Sequence, residues 1–125
     1  MRWIVDAMNV IGTRPDGWWK DRARARERLV EHLERWAVPP AHVVTVVFEH
    51  PTSIHSSAID IHYAPKAAAN SADDEIVRLV GSDDRPNEIN VVTSDATLAQ
   101  RVRHAGAVVY PAAKFRDLID PLNAT

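Results

Sequence analysis

The 125-residue chain contains no cysteine, which removes disulfides, zinc–thiolate centres and cysteine nucleophiles and leaves oxygen and imidazole as metal donors. Such donors favour hard, oxygen-loving cations. No stretch approaches the roughly 20 apolar residues of a membrane span. The residues after Met1 run straight into a strand pattern without a charged-then-apolar leader, so a cytoplasmic protein with no membrane partner is expected. A large charge of one sign is also missing. With a formal net charge of −2, the molecule has no long-range field to draw it onto nucleic acid, and any such grip must be local. Lysine is scarce, confined to Lys20, Lys66 and Lys114. No G-x-G-x-x-G follows the first strand pattern, which argues against a nucleotide cofactor. The histidines, His32, His42, His50, His55, His62 and His104, lack metal-ligand spacing and read as surface or internally satisfied groups. What is present is 46% hydrophobic residues, enough to fill one core, so residues 1–125 are expected to form a single domain.

Trp3, Ile4 and Val5 form a continuous apolar run within Arg2 to Asp6, as in a strand covered on both faces. A polar and aromatic loop through Gly12, Pro15 and Gly17 is expected next. Asp21 then caps a helix to about Ala37, with Ala25, Leu29, Leu33 and Trp36 as its apolar stripe. On that spacing Arg22 and Arg26 fall on the core-facing side of the first turns, near the loop after the first strand, while Arg24 and Arg28 point elsewhere. Pro39 and Pro40 stop the helix, and His42 to Phe48 reads as a second buried strand, with Val43, Val44, Val46 and Val47, ending at Glu49. After a polar connection at Ser53 to Ser57, Ile59, Ile61 and Tyr63 alternate with Asp60 and His62, the pattern of a half-exposed edge strand. Lys66 to Asn70 reads as a loop, and Ser71 opens a helix with Ile76, Leu79 and Val80 on its apolar face. A turn-rich segment, Gly81 to Asn87, leads to a strand at Ile89 to Thr93. The helix Ala96 to His104 packs Leu98, Ala99 and Val102 and closes at Gly106. A short strand, Ala107 to Tyr110, and a terminal helix or turn, Phe115 to Leu122, complete the chain.

This alternation predicts an α/β fold with one doubly wound, mostly parallel sheet and right-handed crossovers. In such sheets ligands gather beyond the carboxyl ends of the strands, at the switch in strand order. Asp6, Glu49 and Asp95 each close a predicted strand, and Asp73 and Asp74 open a helix, so all five can share that rim. Carboxylates brought together repel unless a cation neutralises them. Magnesium or manganese suits such a site because it takes one or two carboxylates and keeps waters and substrate phosphate oxygens.

Each acid also has a plainer reading. Ser94 or Asp95 before Ala96 fits a helix cap. Asp73, Asp74 and Glu75 suit a first helical turn, and Ser71 with Asp74 resembles a capping box. Asp6 stands apart because no helix is expected for many residues after it. Trp18 and Trp19 beside Lys20 suit base stacking next to a phosphate, or equally a hydrophobic lid over the helix start. Lys66 can meet a phosphate, although a lone loop lysine is usually solvated.

Taken in order, several short pieces resemble the NYN group of PIN-like nuclease domains, and within it the YacP-type branch, from end to end. They are Ile4-Val5-Asp6-Ala7-Met8-Asn9-Val10-Ile11, Ala25-Arg26 with Leu29, Val46-Val47-Phe48-Glu49, Tyr63, Ala72-Asp73-Asp74-Glu75-Ile76, and Val92-Thr93-Ser94-Asp95. The resemblance implies a Rossmann-like PIN fold and Mg²⁺- or Mn²⁺-dependent endoribonuclease activity. It matches Asp6, Asp73 and Asp95 to the acidic metal-holding positions, Asn9 to the strand-one asparagine and Arg26 to the helix arginine. Ala7 and Met8 stand where glycine and an aromatic are usual, and Glu49 where aspartate is common. No further acid closely follows Asp95, so a fourth carboxylate either comes from Asp74 or is missing.

The expected chemistry is hydrolysis of RNA, with Asp6, Asp73, Asp95 and Asp74 around one or two metal ions and Asn9 orienting Asp6 or binding phosphate. Arg26, Arg22, Lys66 and Ser94 would hold the substrate. The main rival is an inactive RNA- or ribosome-binding adaptor of the same fold. In either case RNA is the expected partner, with the ribosome or another RNA-bound complex lending selectivity.

Overall fold

A computed structural model describes residues 2–38, 41–64 and 71–120. Among the described residues the apolar runs form five strands: β1 (Arg2–Asp6), β2 (Val43–Phe48), β3 (Asp60–Tyr63), β4 (Ile89–Val92) and β5 (Val108–Tyr110). All are parallel, in the order β3-β2-β1-β4-β5. Five helices among the same residues, α1 (Ala7–Ile11), α2 (Arg22–Ala37), α3 (Ser71–Gly81), α4 (Ala96–His104) and α5 (Ala112–Ile119), flank the sheet, with 3-10 turns at Trp18–Lys20 and Pro86–Glu88. No described helix is long and apolar enough to cross a membrane.

β1 is central because its side chains serve two cores. Trp3 and Val5 pack with Val10, Leu29, Leu33 and Phe115, on the face covered by α1, α2 and α5. Ile4 packs with Ile76, Val80, Leu98 and Val102, beneath α3 and α4. Strand side chains alternate, so Asp6 shares the face of Ile4 and meets the α3 side of the sheet. β3 is an edge strand with partly exposed residues, as predicted, but its alternation is broken at the end, where Tyr63 is exposed and His62 half-buried.

α4 spans Ala96–His104 as predicted. Asp95 caps its start, and at its end Gly106 takes φ +103° while the Ala107 amide donates to the Val102 carbonyl at 2.9 Å. Glycine is required there twice over, since a Cβ would also lie 3.1 Å from the Pro86 ring.

Several local expectations need correction. The segment after β1 is not all loop. Ala7, Val10 and Ile11 are buried at helical spacing, and α1 begins directly after Asp6. α5 starts at Ala112, three residues before Phe115, because Pro111 supplies an extended cap residue and Ser94 Oγ accepts the Ala112 amide at 2.9 Å. The stripe of α2 is wider than four residues and takes in Val30 and His32. Val43 is exposed, while Val44, on the opposite face of the strand, is buried in the core. The Lys66 to Asn70 loop lies outside the described residues.

α2 ends on Val38, a β-branched residue held at φ +37° with its side chain in solvent. Left-handed backbone costs a non-glycine residue roughly 1–2 kcal/mol, and glycine gives back part of that through unfolded-state entropy. Val38→Gly is therefore expected to stabilise the protein by about 0.5–1 kcal/mol. An unchanged or lower urea midpoint would contradict this reading of the cap.

Candidate active site

The strand order reverses between β1 and β4, and Asp6 and Asp95 stand at the carboxyl ends of those two strands. Asp6 is buried, 6% exposed, and its Oδ2 accepts a 3.0 Å hydrogen bond from Thr93 Oγ1. That hydroxyl oxygen in turn accepts the Asp95 amide at 3.1 Å, and Asp95 Oδ1 caps α4 by accepting the Leu98 amide at 2.8 Å. Beside this chain, Asn9 Oδ1 accepts the Ser94 amide at 2.9 Å. The corner after β1 and the corner after β4 are thus stitched together by side chains.

Burial pushes the Asp6 carboxyl up to about 7, and the charges of Asp73 and Asp95 push the same way. The Thr93 hydrogen bond and the Asn9 amide oppose the shift. Asp73 is raised as well, first by burial, then by Asp95, Asp74 and Glu49, against the pull of Arg101. Residues from three helices and three strand ends therefore act on one another electrostatically. The structure brings Asp6, Asp73 and Asp95 onto one rim, with Asp74 and Glu49 at its margin.

Asp6 stands at the cap position of α1, which the expected loop did not foresee, yet its carboxylate is too poorly aligned with the Asn9 amide for a well-formed capping hydrogen bond. Its well-formed side-chain hydrogen bond is to Thr93 instead. Asp74 is exposed and pairs with Arg101 at 3.0 Å. Glu49 is also exposed, 3.9 Å from the His50 ring. Ser94 serves first as a brace, because its amide and its hydroxyl oxygen bind Asn9 and Ala112.

Of the expected substrate cations, Arg26 is half-buried on α2 and makes no ion pair with another described residue. The Arg22 guanidinium sits 5.3 Å from the centre of the Trp18 ring. Lys66 lies outside the described residues. Two rim residues were given no role by the sequence. Thr93, quoted only as part of Val92-Thr93-Ser94-Asp95, is a buried hydroxyl at the end of an apolar strand and braces Asp6. Arg101 reaches the acids only because α4 packs against α3, which no local spacing reveals.

Among the described residues, no three Asp, Glu or His side chains lie close enough to enclose a metal ion. The donor chemistry fits a hard divalent cation that keeps most of its water and takes one or two carboxylates. The buried Asp6, which feels the charges of Asp73 and Asp95, and the half-buried Asp73, which feels that of Asp95, are the carboxylates that a cation would relieve.

No curated protein matches the chain. Among solved structures, Rae1 (YacP) from Bacillus subtilis aligns with a TM-score of 0.79 at 21% identity, over 96% of this chain and 74% of that one. Its W164L mutant aligns with a TM-score of 0.77 at 21% identity, over 95% of this chain and 76% of that one. At such identity the likeness establishes the fold, a five-stranded parallel sheet flanked by helices. Residues 3–125 match the family model of the YacP-like NYN domain, and the chain belongs to that nuclease-like family.

Proposed function

We propose that this protein is a metal-dependent endoribonuclease whose Asp6, Asp73 and Asp95 hold Mg²⁺ or Mn²⁺ at the switch point of the sheet. The observation that carries the reading is the buried Asp6 carboxyl, raised to about 7 on a rim shared with two further acids. Membership of a nuclease-like family supports it. When bound, the cation supplies a more reactive water and offsets charge on the scissile phosphate.

The chain's own groups have separable tasks. Asp6 is held by Thr93, which fixes one oxygen and leaves the other for the ligand. Asn9 has its carbonyl oxygen engaged by Ser94, so its amide NH₂ is the group left to donate to a phosphate oxygen. Arg26, with no acidic partner among the described residues, is suited to neutralise the incoming RNA backbone. Arg22 and Lys66 are further candidates for that task.

Loss of groups that merely orient metal ligands typically costs 10- to 100-fold, so removing a ligand should cost roughly 100-fold or more. Asp6→Asn and Asp73→Asn are expected to lose cleavage of a labelled single-stranded RNA in Mg²⁺ or Mn²⁺ while remaining folded. Full cleavage by purified, folded Asp6→Asn protein would overturn the proposal.

One observation favours the adaptor reading instead: the acids do not form a ready cage among the described residues, and Arg101 already pairs with Asp74. An adaptor would bind RNA equally well with and without Mn²⁺ and would cleave nothing. The ribosome, or another RNA-bound complex, belongs to either proposal as the source of selectivity.

A further inference from the structure

The segment from Arg14 to Arg28 departs from the chain's overall charge, holding six basic residues against three acidic ones in a molecule of net charge −2. It leads into α2, which joins the parallel strands β1 and β2 and so runs antiparallel to both. The start of α2 therefore lies at the same carboxyl rim of the sheet as Asp6.

The two tryptophans there have separate fates. Trp18 is half-buried against the core that contains Ile11 and Leu29, with Arg22 over its ring, so it is the lid on the helix start. Trp19 is 57% exposed and stands edge-on to Trp18, ring centres 6.0 Å apart and planes at 88°. Its support is rigid. Gly17, at φ +72°, accepts the Lys20 amide at 2.9 Å, and Arg28 pairs with Asp16 at 3.1 Å. Just upstream, Arg14 reaches Asp120 at 3.3 Å and His32 at 3.1 Å, while Arg116 donates to the Thr13 carbonyl at 2.5 Å.

Cations prevail in the chain around the exposed ring. Lys20 and Arg24 are exposed and make no ion pair with another described residue. Of the acids in this segment, Asp21 accepts the Arg24 amide at 3.1 Å as the α2 cap, and Asp16 holds Arg28. An exposed aromatic face in a segment of net positive charge suits a polyanion whose monomers carry flat faces, rather than an apolar protein surface.

We propose that Trp19, with Lys20 and Arg24 on adjoining phosphates, is a stacking platform for an unpaired base of single-stranded RNA entering the rim. The platform rests on the reading of this chain as an RNA-acting protein. Trp18, edge-on to it, is the positioning residue for the Trp19 ring.

The test is equilibrium binding of the full chain to a short labelled oligoadenylate in EDTA, so that nothing depends on metal. A ribose-phosphate chain of equal length without bases serves as the comparison. Trp19→Ala is expected to weaken oligoadenylate binding about tenfold and leave the abasic chain unaffected, whereas Trp19→Phe keeps most of the affinity. Trp19→Leu, apolar but not aromatic, should behave as alanine does and guards against a folding defect. Unchanged oligoadenylate binding in Trp19→Ala, or equal weakening on both ligands, would overturn the platform, and a surface built for a protein would give the first of these. No binding by the wild-type chain would overturn it too. Trp19-dependent binding without any cleavage in Mg²⁺ or Mn²⁺ would instead sink the nuclease reading and leave the platform standing.

Discussion

In metal-free buffer at pH 8, Asp6→Asn is expected to melt well above the wild-type protein. Burial raises the Asp6 carboxyl to about 7, so the fold prefers this side chain protonated. The sign follows from linkage: the favourable contribution is complete below the ordinary carboxylate range, near pH 4, and is lost as pH climbs through about 7. A tenfold change in proton affinity is worth about 1.4 kcal/mol, so well above pH 7 the ionised group burdens the fold by roughly 4 kcal/mol relative to a neutral one.

Asparagine has nearly the same shape and can still accept the Thr93 hydroxyl through its amide oxygen, so the burden goes without opening a cavity. For a chain of this size the gain corresponds to roughly 10 °C in the melting midpoint at pH 8, shrinking to little at pH 4. Thermal melts of both proteins across pH 4–9 in EDTA check this. Coincident curves at pH 8 would mean that Asp6 titrates normally and is not desolvated. On the proposed function, Mn²⁺ should raise the wild-type midpoint and leave Asp6→Asn unmoved, because a ligand stabilises only the state that binds it. An acid kept in a position that weakens the empty fold is the usual signature of a functional site.

How far these features were legible depended on whether their cause was local. β1, β2 and β4 were readable because a strand covered on both faces must be apolar along its length, and Trp3-Ile4-Val5 or Val46-Val47-Phe48 leave little alternative. α4 was readable to the residue because its cap, stripe and closing glycine are all encoded within it. α1 was not, since five residues hold little more than one helical turn and its stripe of Ala7, Val10 and Ile11 passes for part of a loop. That Asp6, Asp73 and Asp95 share one rim followed from topology, because parallel strands deliver their ends, and the starts of the helices that follow them, to one edge. Thr93 and Arg101 act through partners 87 and 27 residues away, and no window along the chain shows such a pairing. For Trp18 and Trp19 the sequence offered both a lid and a stacking surface; packing gives the lid to Trp18 and leaves Trp19 exposed.

The largest loss of stability is expected from Phe115→Ala on α5. Phe115 is fully buried, with its ring centre 5.3 Å from those of both Trp3 and Trp36 and 6.2 Å from that of Tyr110. Removing a buried phenyl group costs about 3–5 kcal/mol through lost transfer energy and the cavity left behind. Its edge and tilted ring contacts add roughly 0.5–1.5 kcal/mol for each well-formed pair. Domains commonly unfold for about 5–15 kcal/mol, so this one change removes a large share of the margin. Phe115→Leu keeps most of the volume and should cost clearly less. Urea titration of both variants checks the ranking, and a Phe115→Ala midpoint within experimental error of wild type would show that α5 contributes little. The consequence reaches the rim, because the first amide of α5 is held by Ser94, whose own amide holds Asn9, while Arg116 and Asp120 hold the loop that carries Trp18 and Trp19. Loosening α5 should therefore impair cleavage by Phe115→Ala at temperatures well below its global melting, although Phe115 touches neither the acids nor the substrate path. Equal temperature profiles of cleavage and unfolding would separate the two, and would show that α5 supports the fold without bracing the site.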